Sequence, residues 1–319
     1  MHSAGPSNYE HPGRLFIGRA GVPETEAGVL EYANFLRSES GLSDLPPVDL
    51  GPIYSRFGIP EPRRATLPAQ QGLLMNPEAG LIIINELDIP TRQRFTEAHE
   101  LMELLFAAFK TGGGWAARQH GPFKRAAKEN LCNRGAAELL MPRTSFLPRI
   151  HDLGSSFGTA RRLAEEYSVS TTAALVQMAR IGPGSHAVSV WAWAHKPSEL
   201  RQLSGGRQLS LFGIPADATP RKRLRLAWSI PSDRGPYLPR YKSVPEQSKV
   251  YEAWESGEDT EGVDYLALGQ VTGHFYSENH PFETDGERMV ISLLHLPTDL
   301  RCSRRSEGLA ERNPTVRPP

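Results

Sequence analysis

The sequence predicts an α+β chain in two parts, helix-rich to about residue 182 and strand-rich beyond it. Three observations carry that expectation. Apolar residues recur at helical spacing through most of the first part, interrupted by one pair of short strand-like runs. The dipeptide Pro183-Gly184 marks a break. After it, the runs alternate in polarity and are rich in aromatic and β-branched residues. With 319 residues, two or three compact units are expected, since domains usually hold ~100–200 residues.

Residues 1–14 are polar and without periodicity, so they read as a flexible end. "PETEAGVLEYANFLRSESG" sets Val29, Leu30, Ala33 and Leu36 on one helical face, between Pro23 and Gly41. "PPVDLGPIYSRFGI" offers a second short helix. "ATLPAQQGLLMN" and "AGLIIINEL" read as two strands separated by the turn signal Asn76-Pro77. Pro90-Thr91 opens a helix to about Lys110, which "TGGGW" ends. Residues 123–141 form another helix, stopped by Met141-Pro142, and 156–182 read as helix, tight turn at Ser168-Val169-Ser170, helix.

Four alternating runs follow, "HAVSVWAWA", "KRLRLAWSI", "VDYLALGQV" and "RMVISLLHL", with one helix-like stretch, "SVPEQSKVYEAWESG". The resulting division is a flexible 1–14, a first domain over 15–150, a helix-turn-helix unit over 151–185, a mixed domain over 186–300 and a flexible tail over 301–319.

Composition excludes several function classes. Lys+Arg and Asp+Glu are equal at 36 each, so the whole chain has no electrostatic footprint for nucleic acid. No window holds the ~18 apolar residues of a membrane helix, and the N-terminus lacks a signal-peptide pattern. Cys132 and Cys302 lie far apart and outside any Cys-x-x-Cys pair, which suggests neither a disulfide framework nor a cysteine zinc site. A reducing cytoplasm is the expected location.

The chemistry concentrates in "RFTEAHELMELLF". Apolar residues surround nearly the whole helix, and Glu97, His99, Glu100 and Glu103 are set into it. His99 and Glu103 share a face at i, i+4, while Glu100 and Glu103 repel at i, i+3. Such crowding is costly without a cation, which a metal ion, or Arg92 and Arg94, could supply. The bland alternative puts Glu97 and Glu103 on a solvated edge and makes His99 a hydrogen-bonded core histidine.

A second cluster, "KENLCNRGAAELLMPRTSF", places Glu129 and Asn133 at i, i+4, with Glu138 farther along. A carboxylate beside His99 and Glu103 completes three ligands and leaves a fourth position open, as a catalytic zinc site requires. Asn133 could accept the His99 ring N–H and fix its tautomer. The bland alternative makes Asn133 a surface residue and pairs Glu129 with Lys128 or Arg125.

These segments, with "ARRLAEEYSVSTTAALVQMARIG" after them and "LPPVDLGPIYSRFGI" before, resemble the ImmA/IrrE metallo-endopeptidase family over about residues 45–182. The resemblance implies a zincin-like fold, His99 and Glu129 at ligand positions, and Glu100 as general base. It implies cleavage of a regulatory protein substrate, a helix-turn-helix transcriptional repressor, that switches on a stress or mobile-element response in a bacterium. It also implies a sensor-like domain related to the GAF fold over 186–300 in longer members.

The sequence departs from the family where Glu103 replaces the second histidine of His-Glu-x-x-His and Met102 replaces a small glycine. Glutamate remains a competent ligand. One histidine and two carboxylates formally neutralise a divalent ion, so its acidity falls, and oxygen ligands move preference from zinc toward manganese or iron(II). His120 or His151 is a candidate replacement imidazole.

The second helix of 156–182, "TTAALVQMAR", is mostly apolar with a single arginine, which favours packing or partner docking over DNA reading. "RKRLRLAW" reads as a strand with one solvated face. Three functions therefore compete. They are a metal-dependent endopeptidase, a non-catalytic relative that binds a regulatory partner, and a DNA-binding regulator.

Overall fold

A computed structural model describes residues 9–109, 123, 125–204, 221–233 and 235–297. The "TGGGW" stop, His120, Cys302 and the tail 301–319 lie outside the described residues. The chain divides into two compact units, 1–183 and 184–319.

The first unit begins with α1 (Pro12–Ala20), whose N-cap His11 accepts from the Arg14 N–H. This corrects the expectation of a flexible 1–14 for residues 9–14. The Tyr9 hydroxyl donates to Pro77 O at 2.8 Å, Glu10 N–H donates to Phe57 O at 2.8 Å, and Phe16 packs 5.3 Å from the Tyr32 ring. None of these anchors is local in sequence, so periodicity could not reveal them.

α2 (Glu26–Glu39) is capped by Thr25 and followed by α3 (Gly51–Phe57). A small sheet comes next, with β1 (Arg63–Ala65), β2 (Gly72–Asn76) and β3 (Leu81–Asn85) in the order β1-β3-β2. β1 is parallel to β3 and was not anticipated, because three largely exposed residues carry no pattern. β2 is antiparallel to β3 and leaves its other edge open within the sheet.

α4 (Pro90–Ala108) then packs against α5 (Arg125–Leu140) and β2. Its buried face comprises Ala98, Leu101, Met102, Leu104, Leu105 and Phe106. α6 (Arg143–Leu153), α7 (Phe157–Glu166) and α8 (Thr171–Ile181) complete the unit. Ser156 and Ser170 cap the last two, and Ser168 turns the chain between them at φ 53°.

The expected helix-turn-helix is thus present as a helix pair, but packed inside the first unit rather than standing apart. Leu175 and Met178 are buried, and the Gln177 amide donates to Met141 O at 3.3 Å.

The second unit is one antiparallel sheet of β4 (Ser185–Ala194), β5 (Arg223–Pro231), β6 (Thr260–Leu268), β7 (Val271–Thr284) and β8 (Glu287–Leu296). Its order is β5-β4-β8-β7-β6. α9 (Pro197–Ser204) and α10 (Lys249–Ser256) complete it. Val250 and Ala253 of α10 join Trp191, Leu226, Leu266, Phe275 and Leu294 in the core.

β7 was missed because Gly273, Pro281 and frequent polar residues mask its alternation. The register resolves the difficulty. Pro281 faces Val290 of β8, while β6 pairing reaches only Asn279, so the proline sits where that flank of β7 no longer pairs with β6.

Candidate metal centre

α4 places His99 and Glu103 one turn apart, facing α5, and α5 places Glu129 and Asn133 one turn apart in return. His99 Nδ1 lies 3.0 Å from Asn133 Oδ1. An amide oxygen only accepts, so Nδ1 carries the proton and Nε2 is left as a donor atom for a cation. Nε2 faces Glu103 Oε1 at 3.8 Å and Glu129 Oε2 at 3.7 Å. Two ligand atoms around one tetrahedral ion lie roughly 3.3–3.6 Å apart, so either carboxylate can share a divalent cation with Nε2 after a small adjustment.

His99, Glu103 and Cys132 also bring their ligand atoms within 4.8 Å of one another. Cys132 is thus an added candidate donor, one that the missing Cys-x-x-Cys pattern did not suggest. The legible signal was positional, since Cys132 follows Glu129 at i+3 and shares its helix face. Glu129 is the outermost member, with its side chain 56% exposed, whereas Cys132 is fully buried.

The cation that stabilises the acidic cluster comes from α5. Lys128 Nζ contacts Glu103 Oε1 at 2.7 Å, its side chain only 15% exposed, and lies 5.9 Å from the Phe106 ring centre. Arg92 and Arg94 do not serve that purpose. Arg92 pairs with Asp88 at 3.2 Å, and Arg94 donates to Val48 O. The bland pairing of Lys128 with Glu129 gives way to this Glu103 contact. Glu97 is no solvated edge residue either, as it pairs with Arg64 at 2.7 Å and accepts from the Tyr54 hydroxyl at 3.2 Å.

Glu138 belongs to the scaffold, receiving the Arg143 N–H at 3.0 Å while its own carbonyl receives Arg37. His151, the other candidate imidazole, is exposed on α6.

Glu100 is 6% exposed. Burial, reinforced by the negative Glu103, pushes its carboxyl up to about 7, against the opposing pull of His99, the Leu74 N–H and Lys128. Burial would raise Glu103 as well, but His99 and Lys128 hold it down to about 2. For His99, burial disfavours the cation, yet Glu103, Glu100 and Asn133 outweigh it and raise its pKa. Two carboxylates three residues apart are thus driven in opposite directions, a pattern concentrated at functional sites.

Two glycines permit the close packing. A Cβ at Gly72 would meet the Thr96 methyl and stand 3.0 Å from Glu100 Oε1, so only glycine lets β2 lie this close to the helix. A Cβ at Gly135 would stand 2.9 Å from Met102 Sδ. The larger residue at 102 therefore occupies the space that α5 leaves at 135.

Residues 63–178 match the family model described as the IrrE N-terminal-like domain, peptidase M78. A Deinococcus deserti protein named radiation response metalloprotease IrrE is 32% identical over 187 residues. That match covers 57% of this chain and 65% of the relative, so it spans just under two thirds of the relative's length. A solved Mycobacterium tuberculosis transcriptional regulator aligns with a TM-score of 0.53 over 90% of this chain and 80% of its own, at 13% identity, a likeness of fold alone. Both acidic helices fall inside the matched region, and residues 63–178 are similar to the IrrE N-terminal-like domain.

Proposed function

We propose that the chain is a metal-dependent endopeptidase that cleaves a regulatory protein, a transcriptional repressor in a stress or mobile-element response. The observation that carries the reading is His99, held from behind by Asn133, with Nε2 facing both Glu103 and Glu129. Glu100 stands beside this group with its carboxyl near neutrality.

His99, Glu103 and Glu129 would hold the ion, zinc in the first instance and manganese or iron(II) given the oxygen ligands. When bound, such an ion supplies Lewis acidity, polarising a carbonyl and lowering the pKa of a water. Glu100 takes the water proton and returns it to the leaving amine, for which a carboxyl balanced near pH 7 is well matched. The open edge of β2 lies beside Glu100 and can receive an extended segment of substrate as an added strand.

A GAF-like sensor role for 186–300 is part of this proposal, supported by its single antiparallel sheet and separate core. The repressor substrate, the stress response and a zincin-like assignment rest on the family relationship. Among the described residues no helix is long and apolar enough to cross a membrane. Direct DNA reading by α8 finds no support, because Ala174, Leu175, Met178 and Ala179 are buried.

The second reading, a binder without cleavage, is motivated by Glu103 already being paired with Lys128. Elemental analysis of wild type beside Glu129→Ala decides between them. Near-stoichiometric metal in wild type that is lost in the variant supports the peptidase. A wild type that stays metal-free after dialysis against zinc, manganese and iron(II) sinks it in favour of the binder.

A further inference from the structure

Glu103 and Lys128 sit on different helices, yet they form a close ion pair in the site, 2.7 Å apart. The lysine is not a surface side chain that happens to reach inward. Its side chain is 15% exposed, and its ammonium lies near the Phe106 ring, whose face favours a cation. An ammonium taken this far from water is retained at a cost unless an anion meets it.

The charge count shows what the pair does. His99 is neutral as a ligand, and Glu103 and Glu129 carry one negative charge each. A divalent ion among these three would have no net charge. Lys128 returns a single positive charge to the group, the same balance that two neutral imidazoles and one carboxylate leave around a divalent ion. Lys128 Nζ and His99 Nε2 both face Glu103 Oε1, and a carboxylate oxygen has two lone pairs, so the ammonium and an ion can share it.

We propose that Lys128 is a resident cation of the metal centre, sharing Glu103 with the bound ion and making up the positive charge lost where glutamate replaces a second histidine. The inference rests on the proposed metal site. Lys128 is a positioning residue here, acting through Glu103. The pairing couples residues 103 and 128, so a histidine at 103 and a lysine at 128 are an ill-matched combination.

The test measures the zinc and manganese affinity of the full chain by competition with a chromogenic chelator. Wild type, Lys128→Arg, Lys128→Met, Glu103→His and the double variant Glu103→His/Lys128→Met are compared, with circular dichroism checking the fold of each. Lys128→Met is expected to bind about tenfold more tightly and Glu103→His about tenfold more weakly, with Lys128→Arg close to wild type. The double variant should recover the affinity lost in Glu103→His.

A lysine that merely supports the fold would instead loosen metal binding when removed, in both backgrounds. Folded Lys128→Met with unchanged or weaker affinity, or no recovery in the double variant, overturns the proposal and leaves the peptidase reading standing. A wild type that binds neither metal overturns both.

Discussion

Both units bury polar side chains, but they do so in opposite ways. In the second unit a row of polar residues crosses the whole sheet in register, with Ser229 opposite Ser189, Ser189 opposite Ser292, Ser292 opposite Asn279, and Asn279 opposite Thr260. The row is neutral, and Ser189 and Ser229 lie 3.0 Å apart at one end of it. Trp191 donates to Ser292, Ser292 donates to Asn279, and the Asn279 amide reaches Ser277 and Thr260.

Around His99 in the first unit the polar groups are instead ionisable and at odds with one another, with Glu100 driven up and Glu103 driven down. A satisfied neutral network stabilises and specifies one register. A cluster of charges whose members cannot all be satisfied without an added cation is suited to binding and chemistry.

The sharpest break in that comparison is Glu100→Gln. If Glu100 moves the proton, cleavage should fall by about 10²–10⁴-fold while metal content stays at the wild-type level. Loss of metal together with activity would make Glu100 a packing or ligand residue instead.

The pH dependence of the metal-free protein comes next. Glu100 is raised in the folded state from 4.5 to about 7, so between these values the folded chain holds more protons than the unfolded one. Stability from this group therefore falls as pH rises through that window and stays low above it. Glu100→Gln removes the penalty and should raise stability at pH 8 by up to about 3 kcal/mol while changing it little near pH 4. Glu103, lowered from 4.5 to about 2, acts in the opposite direction and in a lower window, its contribution being lost as pH falls below 4.5. Urea unfolding of wild type and variant at the two pH values reads the difference.

Asn279→Leu tests the neutral row. It leaves the Ser277 and Ser292 hydroxyls short of a partner and should destabilise the second unit by about 1–3 kcal/mol in urea, with metal content unchanged. Metal lost along with it would mean that the two networks are not independent. The smallest effect belongs to the exposed pair Lys249–Glu252 on α10. Replacing Glu252 with Gln should leave stability essentially unchanged in urea, a baseline against which both buried networks are judged.

Much of this was written along the chain because it depends on local periods. A helix repeats every ~3.6 residues, so His99 with Glu103 and Glu129 with Asn133 had to share faces once α4 and α5 formed. Alternation likewise located β4, β5, β6 and β8, and serine capping with a tight turn set the pair α7 and α8.

What the sequence could not decide was which face meets which. Tyr9 finds Pro77 across 68 residues, and Glu103 takes Lys128 rather than Arg92 or Arg94, its nearer neighbours along the chain. Cys132 meets His99 and Glu103 where α4 and α5 pack, with Met102 seated over Gly135. Backbone geometry repeats within an element and is legible from its residues. Partner choice between elements depends on the close packing of side chains brought together from distant positions, and tertiary structure alone settles it.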